Sequence, residues 1–293
     1  MDFGRLITAM VTPFDEQGQI NWEETATLID YLIEKQQSES IVVCGTTGES
    51  PTLSHQEKLD LFRFAVDKAK GRCKIIAGTG SNSTADTISL TEEAERIGVD
   101  GVLLVVPYYN KPNQEGMYRH FESIAKSTKL PIMLYNVPSR TVASISAATT
   151  LRLAQIPNVV ATKECASLEQ VAQIAAEAPA HFKVYSGDDS ATLPALAVGA
   201  YGIVSVASHI IGTSMREMID AYLQGEVIKA AALHHKLLPV FKGLFDCPNP
   251  LPNPAAVKYA LQLKGFAVGD VRLPLVGPNE EESNFLKNLL ADL

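Results

Sequence analysis

Lys163 is the residue best placed to do covalent chemistry. It follows the apolar run Val159-Val160-Ala161-Thr162, so a strand should deliver it to a site with apolar walls. Such walls disfavour a charged amine, and the neutral amine is the nucleophile that forms an imine with a carbonyl. Neighbours on a strand face opposite ways, so a simple ion pair between Lys163 and Glu164 is not expected. Tyr135 ends another apolar run, where a phenol can pass protons to an intermediate on the lysine. The turn Gly45-Thr46-Thr47-Gly48 offers two hydroxyls and backbone N–H groups near a helix start, a cradle for a carboxylate. Arg140 follows Pro138-Ser139 in a loop, where its planar fork could hold a second carboxylate. Singly these residues have plain alternatives: a snorkelling lysine, a core tyrosine, a glycine-rich turn, a surface arginine. Together they compose a nucleophile, an acid/base and two anion sites.

One fold brings all of them to the same rim. Short apolar runs recur at Leu6 to Val11, Ser40 to Cys44, Lys74 to Ala77, Gly101 to Val106, Pro131 to Tyr135, Asn158 to Thr162, Lys183 to Ser186 and Gly202 to Val206. Helical spacing separates them, over 23–35, 56–70, 85–97, 114–127, 147–155, 168–177, 191–198 and 214–223. Ser54 with Glu57, and Ser167 with Gln170, read as helix starts. Strands that are apolar throughout are parallel and covered on both faces. Eight such units predict an α/β protein, a (β/α)8 TIM barrel over 1–224, with a C-terminal helical region over 225–293. The rival, a doubly wound open sheet, usually has a glycine-rich turn after its first strand, and Thr8 to Phe14 has no glycine. Cys247 to Pro254 carries proline at every second position and should be a stiff, extended link.

Composition narrows the function classes. A net charge of -8 argues against nucleic-acid and anionic-membrane partners. Ser190 to Met215 lacks Asp, Glu, Lys and Arg, but prolines, glycines and serines interrupt it, so a buried helix followed by a buried strand is expected. The N-terminus has no basic region ahead of an apolar core, and the 4 scattered cysteines form no Cys-x-x-Cys pair; both fit a cytoplasmic protein with reduced thiols. No histidine spacing suits a metal, Asp188 and Asp189 read as caps of the following helix, and Gly78-Thr79-Gly80 lacks the rest of a dinucleotide pattern. No metal and no cofactor are expected.

Four separated motifs carry a family resemblance: Gly45-Thr-Thr-Gly-Glu-Ser-Pro-Thr-Leu53, Val106-Pro-Tyr-Tyr-Asn-Lys-Pro112, Tyr135-Asn-Val-Pro-Ser-Arg-Thr141 and Lys163-Glu164. On them the chain resembles the dihydrodipicolinate synthase family of pyruvate-dependent class I aldolases, over nearly its whole length. The resemblance implies a Schiff base between Lys163 and pyruvate, with Tyr135 as general acid/base. It implies a relay of Thr47, Tyr135 and Tyr109, the last reaching in from a neighbouring subunit of a homotetramer built as a dimer of dimers. It assigns the pyruvate carboxylate to Thr46 and Thr47, with Gly187 and the backbone at Val204 lining the site. It assigns the carboxylate of L-aspartate 4-semialdehyde to Arg140. Thr46-Thr47 and Arg140 favour this synthesis over sialic acid cleavage within the family. A sugar-acid or sialic acid lyase, and a barrel that only binds a small molecule, are the alternatives.

Two departures stand out. Family members inhibited by lysine have a site to which His55, Lys58, Asn82, Asp86 and Tyr108 would correspond, and some carry histidine and glutamate where this chain has Lys58 and Asp86. A cation at Lys58 should repel the ligand's ammonium groups, so weak or absent lysine inhibition is expected. The second departure is the link, where Asn253-Pro-Ala-Ala-Val-Lys258 follows an extra Asn-Pro-Leu-Pro in place of the family's usual Asn-Pro-x-Pro-Val-Lys.

Overall fold

The eight apolar runs form eight parallel strands that close on themselves in chain order. They are β1 Leu6–Ala9, β2 Ser40–Val43, β3 Lys74–Gly78, β4 Gly101–Val105, β5 Ile132–Asn136, β6 Val159–Glu164, β7 Lys183–Ser186 and β8 Gly202–Ser205. The computed structural model describes residues 2–291; Met1, Asp292 and Leu293, at the outer ends of the spans 1–224 and 225–293, lie outside the described residues. Almost every strand residue is buried, because one face meets the barrel interior and the other meets a ring of helices. The interior holds Ile7, Val42, Ile76, Leu103, Met133, Ala161, Tyr185 and Val204, and a larger core fills the space between strands and helices. The register sets Tyr135 opposite Lys163 and Asn136 opposite Glu164.

The ring consists of α1 Trp22–Glu34, α2 His55–Ala69, α3 Thr84–Ile97, α4 Gln114–Ser127, α5 Pro138–Thr141, α6 Ala147–Leu153, α7 Leu168–Glu177, α8 Thr192–Ala197 and α9 Ser208–Leu223. Ser54 and Glu57 cap α2 reciprocally. Ser167 caps α7, but the Gln170 side chain turns instead to Glu164 and the Ile145 carbonyl, so that box is half made. Beyond the barrel, α10 Val227–Gly243, α11 Ala255–Leu263 and α12 Glu280–Leu290 follow, and α10 and α11 pack on α9. The link between α10 and α11 contains no helix, as its prolines require. No helix among the described residues is long and apolar enough to cross a membrane.

Four local expectations change. β6 runs on through Glu164, so Lys163 belongs to the strand rather than following it. Arg140 sits on the one-turn helix α5, because Pro138 takes the first helical position, where its missing N–H costs nothing. The helix after the Gly45–Gly48 turn is only a 3-10 turn over Ser50–Thr52, and α2 begins at His55, too far away to lend its dipole to the threonines. α9 begins at Ser208, ahead of the expected 214, because the Asp189 carboxylate accepts from the N–H groups of Val206 and Ala207. Asp189 therefore caps α9, while Asp188 caps the short turn of Asp189–Ala191.

His209 is fully buried beneath this cap. Its Nδ1 donates to the Val206 carbonyl at 2.8 Å and its Nε2 accepts from the Val11 N–H at 3.1 Å, so both nitrogens are spoken for by a neutral ring. Burial lowers its pKa from 6.5 to about 4. His120, also buried, is lowered to about 4 for the same reason. Between those values the unfolded chain takes up protons that the folded chain refuses, so stability falls as pH falls through this window. For His209 alone the loss is about 2 kcal/mol between about pH 7.5 and pH 5. Burial raises the carboxyls of Glu164 and Asp189, which has the opposite sign, with stability lost as pH rises through their raised values. Denaturant unfolding of the wild type and His209→Asn at the two pH values isolates the histidine. An unchanged pH slope in the variant would sink this assignment.

Candidate active site

The strand ends converge on a cavity of about 340 Å³ lined by Thr46, Thr47, Tyr135, Arg140, Lys163 and Gly187. Lys163 is 5% exposed. Its Nζ lies 4.4 Å from the centre of the Tyr135 ring, its partner in the strand register. Among the described residues no carboxylate comes within ion-pair distance of that amine. Glu164 faces outward, as strand alternation requires, and there its carboxylate accepts from Asn136 Nδ2 at 2.9 Å, the Ala166 N–H at 2.8 Å and Gln170 Nε2 at 3.0 Å. The β5–β6 register thus pairs catalytic candidates inside the barrel and a hydrogen-bonded Asn–Glu pair outside it.

Gly187 is required by space. A Cβ built there would collide with Cys165 Sγ and stand 2.7 Å from Lys163 Cε, so glycine leaves the lysine its channel. Burial pushes the Cys165 thiol up to about 11, which keeps it protonated beside the nucleophile. Val204 lies in the barrel interior with Tyr135, and Val206 rather than Val204 lines the cavity wall.

A second cavity of about 530 Å³ opens beside the first and shares Thr46, Tyr135, Val137 and Arg140 with it. His55, Lys58, Asp86 and Tyr108 line its far side. Asn82 does not line it; its carbonyl accepts from Asn110 Nδ2. Burial holds the Lys58 amine below its usual value. Tyr109 is 89% exposed on the loop after β4, with a left-handed φ of 71° that costs a non-glycine residue about 1 kcal/mol or more. Among the described residues no three His, Cys, Asp or Glu side chains gather as a metal ion would need.

Sequence reasoning missed Asn253. It is buried, and its Nδ2 donates to Thr47 Oγ1 at 2.9 Å. The only local signal was its place in an unusual proline link.

The model of the Dihydrodipicolinate synthetase family matches residues 2–293. The chain belongs to that family. It is 57% identical to the 4-hydroxy-tetrahydrodipicolinate synthase of Bacillus subtilis over 295 residues, covering 100% of both chains. The crystal structure of a dihydrodipicolinate synthase from Bacillus anthracis superposes with a TM-score of 0.97 at 51% identity, covering 100% of this chain and 99% of that one. The lysine-bound structure of the family member from Cyanidioschyzon merolae has a TM-score of 0.95 at 42% identity, covering 99% and 97%. Membership was legible in the four motifs, and the barrel that the family shares is the one observed.

Proposed function

We propose that this chain is a 4-hydroxy-tetrahydrodipicolinate synthase, a lyase that condenses pyruvate with L-aspartate 4-semialdehyde in lysine and diaminopimelate biosynthesis. The observation that carries this reading is the gathering of Lys163, Tyr135, Thr46, Thr47 and Arg140 around one cavity. The Lys163 amine attacks the keto carbon of pyruvate and water leaves, forming an imine. The imine acidifies the methyl group, and loss of a proton gives an enamine. Its carbon attacks the aldehyde, and the aldehyde oxygen takes up a proton from the relay. The substrate's own amine then displaces Lys163 and closes the ring. Arg140 suits the aldehyde's carboxylate because its fork can bind both oxygens at once.

The two threonines divide the work. Thr46 lines both cavities beside Tyr135, whereas Thr47 is 2% exposed and its hydroxyl already accepts from Asn253. This favours Thr46 as the relay hydroxyl in place of Thr47, which the family resemblance puts in the relay with Tyr135 and Tyr109, and leaves Thr47 to the pyruvate carboxylate. Borohydride reduction with pyruvate, followed by intact mass and peptide mapping, tests the chemistry. A single pyruvate adduct on Lys163 is the expected result; folded protein without one would end the aldolase reading.

In this reading Tyr109 serves a neighbouring subunit, consistent with its exposure, and the enzyme is a cytoplasmic homotetramer of two dimers. Dilution below the dimer's dissociation constant should therefore remove activity. Fully active monomers in a sedimentation and activity series would disprove it. L-Lysine should inhibit weakly or not at all. Burial already disfavours the charge on Lys58, and the ammonium groups of a ligand brought beside it would disfavour it further. Half-inhibition at about 1 mM or below would overturn this.

A further inference from the structure

The C-terminal region reaches back into the barrel mouth. Asn253 in the proline link is bonded to Thr47, 206 residues earlier. Two residues beyond Thr47, Glu49 takes a left-handed φ of 56°. Its carboxylate lies 2.8 Å from Lys258 Nζ of α11, with both side chains almost fully buried, and it accepts from the Arg272 N–H at 2.8 Å. From the barrel side, Thr12 donates to the Gly48 carbonyl at 2.7 Å. The turn that carries both threonines is therefore gripped largely by residues beyond the barrel.

The polarity of the Asn253 contact matters. A threonine hydroxyl has one proton to give, and an amide N–H occupying one of its lone pairs keeps that proton free to point elsewhere. The cavity that Thr47 shares with Lys163 and Gly187 is where it can go. An anion there would receive a chain of hydrogen bonds, amide to hydroxyl to carboxylate, each polarising the next. The prolines at 248, 250, 252 and 254 limit the freedom of the link, so Asn253 is held in place at low entropic cost.

We propose that Asn253 is a positioning residue that fixes the Thr47 hydroxyl as a donor to the carboxylate of pyruvate, which makes the C-terminal region part of the keto-acid site. The inference rests on the aldolase reading above. Removing the amide should weaken recognition of the carboxylate before it affects the later steps.

The test is steady-state kinetics on Asn253→Ala, Asn253→Asp, Thr47→Val and the Ala/Val double variant, with each thermal midpoint measured. Asn253→Ala should raise the pyruvate KM about tenfold, with the aldehyde KM unchanged and kcat within about threefold. Asn253→Asp presents only acceptors, draws the Thr47 proton to itself and should raise the pyruvate KM about a hundredfold. In the Thr47→Val background the Asn253→Ala effect should vanish, since the two residues act through one bond. An unchanged pyruvate KM in Asn253→Ala, a shift in the aldehyde KM instead, or additive effects in the double variant would each overturn the inference. Because the comparison also reads Asn253→Ala and Thr47→Val, an Asn253→Asp chain that fails to fold leaves it decidable. A wild-type chain that gives no borohydride-trapped adduct would overturn this inference and the aldolase reading together. A trapped adduct with no KM split would overturn this inference alone.

Discussion

Lys163→Ala should abolish the borohydride-trapped pyruvate adduct and lower kcat by at least about a thousandfold, with no loss of thermal stability. The activity loss follows from removing the amine that lies over the Tyr135 ring; Lys242 also lines the cavity but, among the described residues, makes no such contact. The stability expectation follows from the amine's surroundings: it is buried and among the described residues has no carboxylate within ion-pair reach. Keeping such a group dry costs free energy, and that cost is recovered when it is removed. Lys163→Arg is the discriminating control. It retains a cation of similar length, but guanidinium stays protonated and cannot form the imine, so it should be as inactive as alanine. An active arginine variant would mean that the lysine serves electrostatically. Residual activity above about one hundredth of wild type in the alanine variant would point to another nucleophile.

Gly187→Ala should cost about a hundredfold or more in kcat, although it adds a single methyl group outside the catalytic set. The φ of Gly187 is not left-handed, so the backbone itself tolerates alanine. The cost is steric, because the new Cβ would stand 2.7 Å from Lys163 Cε and 3.0 Å from its Cγ, besides colliding with Cys165 Sγ. Overpacking of this kind destabilises by about 1–3 kcal/mol, and a lysine displaced by about 1 Å no longer meets the keto carbon in line. Combining it with Cys165→Ala separates the two clashes. That pair should recover most of the thermal stability while activity stays low, since the lysine stem is still blocked. Full activity in Gly187→Ala alone would show that the stem has room the structure does not display.

Several features were determined by the chain's local pattern. Eight uniformly apolar runs, each followed by helical spacing, specified eight parallel strands covered on both faces, and all eight formed within two residues of the expected ends. Strand alternation separated Lys163 from Glu164 without reference to any other part of the molecule. The capping pair Ser54 and Glu57 set the start of α2 from four residues of sequence. These signals are strong because the periods of helix and strand, and the caps that end them, act over one or two turns of chain.

Barrel closure decided the rest. The start of α9 depends on Asp189, whose carboxylate arrives from the far side of β8, and nothing near Ser208 announces it. The pairing of Tyr135 with Lys163 depends on the β5–β6 register, which shifts between Ile132 and Met133 and could not be counted from either strand alone. Asn253 on Thr47 and Lys258 on Glu49 join segments that share no periodicity and meet only once the C-terminal helices have packed on α9. Local propensity carries information over about four residues in each direction, whereas a hydrogen bond across 206 residues exists only where the whole core has fixed both ends. The sequence therefore determined which reactive side chains the rim could hold, and tertiary packing decided which of the two threonine hydroxyls meets Asn253.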